Sequence, residues 1–471
     1  MQAINNEQIP NNVSLSSDER LQRALLRWQP DFIQWWTDMG PRDFLKDLIY
    51  LRTAVGVDAA GWASYGFVRM PEYRWGIFLA PKEENRTIGF GDNYGQSVWQ
   101  EVPGEHRFAL RRLIVTQADT EPASVEQQRM LGHSCPSLYD LRNIFQVNVE
   151  EGRHLWAMVY LLHSYFGRDG RDEADELLQR RSGNADNPRI LNTFNEPIDD
   201  WLSFFMFTTF TDRDGKFQLL ALAESAFDPL ARTCRFMLTE EAHHLFVGQT
   251  GVQRVIRRSA ELMNEHDTDD IARFGGIPLT MLQRAINFWY SSSLDLFGSE
   301  ISSNAAAYFA AGLKGRAYEE KLYNEHKALD QSFDIALFSL GQEMLKQVAL
   351  RTAMNEVLRD AYTKDCEKVL EKWNKELNDH HIGYRFTLPH KRFNRRVGEY
   401  SLAQFNPLGQ LITKEKWEAE HNNWLSTAED KRFVKSLMTP VYEEGKVAAW
   451  IAPPNKGING QPVNFSYVKI T

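Results

Sequence analysis

The chain has 471 residues, of which 43% are hydrophobic and 12% aromatic, so it can bury a large core. Its formal net charge is −9, which argues against broad electrostatic binding of nucleic acid.

Cysteine usage and the N-terminal composition indicate the compartment. Cys135, Cys234 and Cys366 lie far apart and in no metal-binding spacing, which argues against a disulfide framework and against an iron–sulfur cluster in this chain. The first 20 residues are polar and lack a signal pattern, and no apolar run reaches the roughly 18 residues that span a bilayer. We therefore expect a cytoplasmic protein that does not enter a membrane.

The sequence of the first quarter of the chain predicts little regular secondary structure before the first long helices. Residues 1–20 have the composition of an extended arm, and an approximate apolar stripe over Leu21–Trp36 predicts a helix. The segment 50–106 is rich in glycine, proline and aromatic residues, which predicts short strands and loops packed against the rest. Helical spacing resumes at Arg107–Gln117 and leads to Glu121, so Gln117 lies one turn from that carboxylate.

The next helix carries the first metal-binding pattern. Tyr139–Tyr165 is predicted to be the longest clear helix, and it contains the pattern E-E-x-x-H-L, which runs from Glu150 to Leu155. Apolar neighbours at helical spacing place Glu151 inward, whereas Glu150 shares its side with polar residues. The charged, turn-rich segment 168–197 is predicted to be a crossover and a lid.

A second copy of the pattern follows. Trp201–Asp212 has an aromatic face interrupted by Thr208 and Thr209, which would suit an apolar substrate pocket or a plain core helix. Gln218–Val247 then carries E-E-x-x-H-L again, with Pro229 predicting either two helices or one kinked helix.

The two copies together predict a dinuclear metal site. Each copy has an acid about 30 residues upstream, the distance taken by a helix, a reversal and a second helix. Glu-x-x-His places both side chains on one helical face. Two such helices, together with a lone carboxylate from each of two others, supply the inward-facing ligands of a bundle that binds two metal ions. The predicted ligands are Glu121, Glu151, His154, Asp212, Glu241 and His244. Four carboxylates balance two divalent ions, and oxygen-rich ligation suits iron or manganese.

Three details of this site stay open in the sequence. Glu240 with His243 is also a Glu-x-x-His pair. Asp212 could lie in a turn, with Glu224 as its rival. Glu121 precedes a proline that either opens or kinks a helix.

The rest of the chain is predicted to be mostly helical up to residue 376, then extended at Tyr384–Leu388, with a turn at Asn406–Gly409. The basic stretch 390–396 could be a solvated surface or a phosphate-binding patch. Lys391, Arg392 and Arg395 are its candidate contacts with an anionic ligand. We expect one compact unit with four parts: an arm and irregular segment at 1–105, a metal-binding bundle at 106–250, additional helices at 251–380 and a mixed strand and helix extension at 381–471.

Four stretches carry a resemblance to a known family. They are both E-E-x-x-H-L segments, Val115–Ser124, Thr211–Phe217 and Ile451–Pro454. In these stretches, and across nearly the whole chain, the sequence resembles the oxygenase components of benzoyl-CoA 2,3-epoxidases. The resemblance implies a mainly α, ferritin-like di-iron four-helix bundle with additional helices and short strand or loop extensions at both ends. It also places the iron ligands on the same six residues.

The resemblance further implies an activity and a partner. The expected reaction is the epoxidation of the ring of benzoyl-CoA by O2 to 2,3-epoxy-2,3-dihydrobenzoyl-CoA, in aerobic benzoate breakdown. The electrons would come from a separate NADPH-dependent reductase that carries FAD and iron–sulfur clusters. Gln117, Thr208 and Thr209 are candidate substrate contacts. The alternatives are another di-iron enzyme such as an acyl-thioester desaturase, a radical-generating ribonucleotide reductase subunit, and a non-enzymatic iron-storage or structural protein.

Overall fold

The computed structural model describes residues 11–27, 49–58, 61–70, 76–327, 331–339 and 342–457, and this part of the chain is mainly helical. The helices are α1 (19–27), α2 (Arg107–Ala118), α3 (Glu121–Gln128), α4 (Leu138–Tyr165), α5 (Gly167–Gln179), α6 (Trp201–Leu222), α7 (Asp228–His266), α8 (Leu279–Leu294), α9 (Ser303–Ala310), α10 (Glu319–Leu322), α11 (Met354–Asp379), α12 (Lys414–Trp424) and α13 (Ala428–Ser436).

The strands in the described residues form three separate antiparallel pairs. These are β1 (Ile49–Val57) with β2 (Ala63–Met70), β3 (Ser332–Ser339) with β4 (Gln342–Ala349), and β5 (Gln404–Phe405) with β6 (Leu411–Ile412). The β1–β2 pair confirms the short strands predicted in segment 50–106. The segment up to residue 376 is mostly helical, as predicted, and the β3–β4 pair is the exception within it. Pairing with β3 overrides the helical preference of residues in β4.

Helix α4 lies at the centre of the molecule. All of its residues except Tyr160, Ser164 and Tyr165 are buried. A helix that is covered on every side must be surrounded by other elements, and α2, α3, α5 and α7 pack around it. The Ser137 hydroxyl starts the helix by accepting from the backbone N–H of Asp140 at 3.2 Å.

Helices α6 and α7 form the other half of the bundle. They are two separate helices, because α6 ends at Leu222 and α7 begins at Asp228, with Pro229 in the first turn where a missing N–H is not needed. At 39 residues α7 exceeds the 28 of α4, so the prediction that Tyr139–Tyr165 is the longest helix was wrong. The uninterrupted α6 also shows that Asp212 lies in a helix and not in a turn.

The connection between the two halves is more ordered than predicted. Its first part is α5, which packs so closely on α4 that a Cβ on Gly170 would lie 2.1 Å from the Leu162 carbonyl oxygen. Its second part is held by Arg189, which donates to Asp119 at 3.2 Å and to Glu126 at 2.6 Å. The role of this segment as a lid stays a prediction.

The remaining local predictions had mixed outcomes. The turn at Asn406–Gly409 is confirmed, with Gly409 at a φ of 77° and its N–H donating to the Asn406 carbonyl at 2.8 Å. Residues 384–388, predicted to be extended, are neither helix nor strand, and Phe386 N–H donates to the Asn374 side chain of α11 at 2.8 Å. The predicted helix Leu21–Trp36 is helical up to residue 27, and residues 28–48 lie outside the described residues, as does the start of the arm.

Among the helices described here, none combines the length and the apolar composition needed to cross a bilayer. The division into four parts stays a prediction.

Candidate metal centre

Six acidic and histidine side chains from four helices meet in the interior of the bundle. Their helices are α3 (Glu121), α4 (Glu151, His154), α6 (Asp212) and α7 (Glu241, His244). All six are buried, with at most 8% of any one exposed. Two subsets have ligand atoms that lie within 4.8 Å of one another: Glu121 with Glu151 and His154, and Glu151 with Asp212 and His244.

Local sequence positions these groups in a simple way. Glu121 is the first residue of α3, and Pro122 follows within the first turn, so the proline opens the helix and does not kink one. The two Glu-x-x-His pairs lie in uninterrupted parts of α4 and α7, where residues three apart share one face. The four helices therefore converge on one point.

Two of the carboxylates each reach both histidines. The Glu151 oxygens lie 3.7 Å from His154 Nδ1 and 3.4 Å from His244 Nδ1, and the Glu241 oxygens lie 3.6 Å from each of these nitrogens. Glu121 Oε2 lies 3.4 Å from His154 Nδ1, and Asp212 groups with His244. The arrangement would hold two cations, one beside each histidine, with carboxylate oxygens of Glu151 and Glu241 near both positions.

Unpaired polar atoms in the centre fit such cations. Although they are buried, four atoms have no hydrogen-bond partner: His154 Nδ1, His244 Nδ1, Asp212 Oδ2 and Glu241 Oε2. Leaving buried polar atoms unpaired is costly, and metal coordination would satisfy all four at once. Carboxylate oxygens with two imidazole nitrogens form a donor set that iron accepts.

The far nitrogen of each histidine is held by an acid from the opposite copy of the pattern. His154 Nε2 lies 3.0 Å from Glu240 Oε2, and His244 Nε2 lies 3.1 Å from Glu150 Oε2. A carboxylate that accepts the Nε2 proton leaves Nδ1 free to bind a metal. Glu240 therefore pairs with His154 across the bundle.

These supporting acids are themselves anchored. Arg153 Nε donates to Glu240 Oε2 at 3.3 Å, and Arg153 Nη1 donates to the Ala54 carbonyl of β1 at 2.9 Å. Gln146 Nε2 donates to Glu150 Oε1 at 3.2 Å. On α2, Gln117 Nε2 donates to Glu121 Oε1 at 3.0 Å, as the helical spacing predicts.

The sequence analysis missed Glu150, Glu240 and Arg153. It placed Glu150 on a polar side of α4, but α4 is covered on all sides and Glu150 is only 1% exposed. A usable signal was present, because the same acid precedes the ligand glutamate in both copies.

Burial and mutual repulsion perturb the carboxyl groups. Burial, with Glu151 adding to it, raises the pKa of Glu121 to about 8, and burial together with Glu151 and Glu241 raises the pKa of Asp212 well above its ordinary value. Burial lowers the pKa of His154, but the Glu121 and Glu151 carboxylates outweigh it and raise the value to about 9. Protons thus offset the concentrated negative charge, and metal binding would release them.

Two predicted substrate contacts, Thr208 and Thr209, lie in the interior of α6. Thr208 and Thr209 are buried, and their hydroxyls donate to the backbone carbonyls of Phe204 and Phe205 at 2.9 and 2.7 Å. Their contact with substrate, like that of Gln117, stays a prediction.

The basic stretch 390–396 consists of paired cations. Lys391 Nζ lies 3.0 Å from Glu356, and Arg392 Nη1 donates to Glu343 at 2.8 Å. Arg395 is fully buried and donates to Asp295 at 2.6 Å. Arg395 therefore does not belong to a solvated surface, whereas the Arg396 side chain is 46% exposed. The binding of an anionic ligand by this stretch stays a prediction.

Comparison with known proteins gives one informative relative. Benzoyl-CoA oxygenase component B of Aromatoleum evansii is 58% identical over 466 residues, which cover 98% of each chain. No family model matches the chain.

Proposed function

The chain belongs to the family of benzoyl-CoA oxygenase component B, and from this premise we propose that it uses O2 to epoxidise the ring of benzoyl-CoA at a dinuclear iron site. The observation that carries the proposal is the set of six buried side chains, in which two carboxylates reach both histidines. The proposed product is 2,3-epoxy-2,3-dihydrobenzoyl-CoA.

The proposed reaction balances with two external electrons. Benzoyl-CoA, O2, two electrons and two protons give the epoxide and one water molecule. Two ferrous ions bound by the six residues would supply electrons to O2. Glu121 and His154 would hold one ion, Asp212 and His244 would hold the other, and Glu151 and Glu241 would contribute further carboxylate ligands.

The protein's own side chains would orient the metal site and exclude water from it. Glu150 and Glu240 accept from the Nε2 atoms of the histidines and so fix both imidazole rings. Leu155, Met158 and Val147 surround Glu151 on α4, and all three are fully buried. A dry apolar wall beside the metals would protect a reactive oxidant from water.

The electrons would come from another protein. The three cysteines lie in described residues, and each is a buried free thiol remote in sequence from the others, so they offer no iron–sulfur cluster. The relative is named as a component, which fits a multi-protein system. We propose that the electron donor is a separate NADPH-dependent reductase containing FAD and iron–sulfur clusters.

The test is anaerobic reconstitution with ferrous iron, followed by reductant, O2 and benzoyl-CoA, with iron stoichiometry and product mass recorded. Two irons per chain and a product heavier by one oxygen atom are expected. A variant with both His154→Ala and His244→Ala serves as the control and should yield no oxygenated product. Two irons without oxygenated benzoyl-CoA would contradict the substrate, and loss of two hydrogens from an acyl thioester would instead identify a desaturase.

A further inference from the structure

The last residue of α3 is a buried amide with no hydrogen-bond partner. Gln128 is 0% exposed, and neither its Nε2 nor its Oε1 has a partner. An amide in this state loses its hydration without compensation, so the native state is less stable than it would be with an apolar side chain there. A ligand with both a hydrogen-bond donor and an acceptor would satisfy this amide if it reached it.

Helix geometry directs this amide toward the candidate metal centre. Gln128 lies seven residues after Glu121 and four after Ser124, so all three share one face of α3. Ser124 Oγ lies 3.4 Å from Glu151 Oε1, which identifies this face as the one that meets the metal ligands. Gln128 is about 10 Å along the helix from Glu121, and helical side chains lean toward the N-terminus, so its amide leans back toward the centre.

Two nearby glutamines have hydrogen-bond partners within the chain, which Gln128 does not. Gln127 donates to the Phe194 carbonyl at 3.1 Å and accepts from the Ile198 N–H at 2.9 Å. Gln117 donates to Glu121. Each of these amides therefore has a structural role within the chain, which Gln128 lacks.

We propose that Gln128 binds the thioester group of the substrate, an inference that rests on the proposed function. Its Nε2–H donates to the thioester carbonyl oxygen. Its Oε1 accepts from the amide N–H of coenzyme A that lies three bonds beyond the sulfur. Anchoring the carbonyl this far from Glu121 leaves the benzoyl ring between the amide and the metals, so that Gln128 determines which ring carbons face the oxidant.

The test compares two ligands by calorimetry on the iron-loaded protein without O2. One ligand is benzoyl-CoA, and the other is S-benzyl-CoA, a thioether that lacks the carbonyl oxygen. The unmodified protein should bind the thioester about tenfold or more tightly than the thioether, because only the thioester pairs with the amide. In Gln128→Met, which keeps the length but has no donor, this preference should disappear, while the thermal midpoint should not fall.

Gln127→Met is the matched control. It removes two hydrogen bonds within the protein, so its thermal midpoint should fall while the preference for the thioester is kept. Retention of the full preference in Gln128→Met would overturn the inference, as would unfolding of both Gln128→Met and Gln128→Leu, since that would reveal a structural role. Failure of the unmodified protein to bind either ligand would instead reject the proposed function, and the inference with it.

Discussion

At the scale of single residues, Glu240 shows how strongly the candidate centre depends on side chains that are not predicted ligands. Its carboxylate accepts from His154 Nε2 and pairs with Arg153, and it is 1% exposed. Arg153 in turn lies 5.5 Å from the ring centroid of Phe78 and 5.3 Å from that of Phe236, two rings that stack on each other. The orientation of one imidazole is thus fixed by a buried ion pair whose cation packs against aromatic side chains.

Glu240→Gln should weaken iron binding at the position beside His154. A neutral amide is a poorer acceptor and cannot serve both His154 and Arg153, and loss of such support typically costs 10- to 100-fold in metal affinity. Anaerobic titration with Fe²⁺ measures the effect. Glu261→Gln, on the same helix and paired with Arg258 near the surface, is the control and should bind iron normally. An unchanged isotherm for Glu240→Gln would reject this role.

A second prediction concerns Glu224, the rival of Asp212 in the sequence. Glu224 lies outside the six-residue group, on a cavity of about 520 Å³ that is also lined by Arg235 and Glu320. Burial, with repulsion from Glu320, raises its pKa to about 7 from an ordinary 4.5. Between these values the unfolded chain has released the proton and the folded chain retains it, so the free energy of unfolding decreases as the pH rises from 4.5 to 7.

Glu224→Gln removes this dependence. The variant should match the unmodified protein near pH 4.5 and be more stable by about 1–3 kcal/mol at pH 8. Thermal or urea unfolding at the two pH values measures the difference. A stability gap of the same size at both pH values would mean that ionisation of Glu224 is not its cause.

At the scale of elements, the contact between α6 and α7 is close enough to require glycine. A Cβ on Gly248 would lie 2.5 Å from Thr208 Oγ1 and 2.6 Å from the Thr209 backbone nitrogen. These threonines lie one turn before Asp212, and Gly248 lies one turn after His244. Helix separation at this point therefore controls the distance between two predicted ligands.

Gly248→Ala should destabilise the protein by about 1–3 kcal/mol, because backbone atoms of α6 must move. It should also weaken iron binding beside His244. Gly215→Ala in α6 is the matched control: nothing lies within 4 Å of its added Cβ, so the substitution should be neutral or stabilising by up to about 1 kcal/mol. Circular dichroism melts and iron titrations measure both variants, and equal melts would contradict the close-contact argument.

Periodicity and repetition explain what the sequence could predict about these elements. Helices α2, α4, α6 and α7 each have helical spacing strong enough to be recognised, and the duplicated pattern identifies the six side chains that the structure brings together. Periodicity fails for Glu150, because a helix covered on every side has no polar face. It also fails for β3–β4 and α5, where packing against distant residues decides the conformation.

At the scale of the whole molecule, distant segments close over the start of α4. Val441 and Ala448 donate backbone hydrogen bonds to Cys135 and Pro136 at 2.9 and 2.8 Å. Arg254 of α7 joins Asp140 of α4 at 2.7 Å and also donates to the Ala452 carbonyl at 2.7 Å. The start of α4 is thus held in place by residues from the C-terminal part of the chain.

Iron should stabilise this whole assembly. The six candidate ligands meet only in the folded chain, so Fe²⁺ added without O2 should raise the thermal midpoint. At a free Fe²⁺ concentration 100 times the dissociation constant, the free energy of unfolding should increase by about 2.7 kcal/mol. The His154→Ala, His244→Ala double variant should show no rise. An equal rise in that variant would place iron binding elsewhere in the chain.

The crossed support of the histidines has a consequence for the two copies of the pattern. Glu150 on α4 completes His244 on α7, and Glu240 on α7 completes His154 on α4. Neither copy is therefore a self-sufficient half that could be excised to bind one ion. A substitution of the supporting glutamate in one copy would therefore disturb the histidine of the other copy. The two copies would have to be present together for either histidine to be correctly oriented.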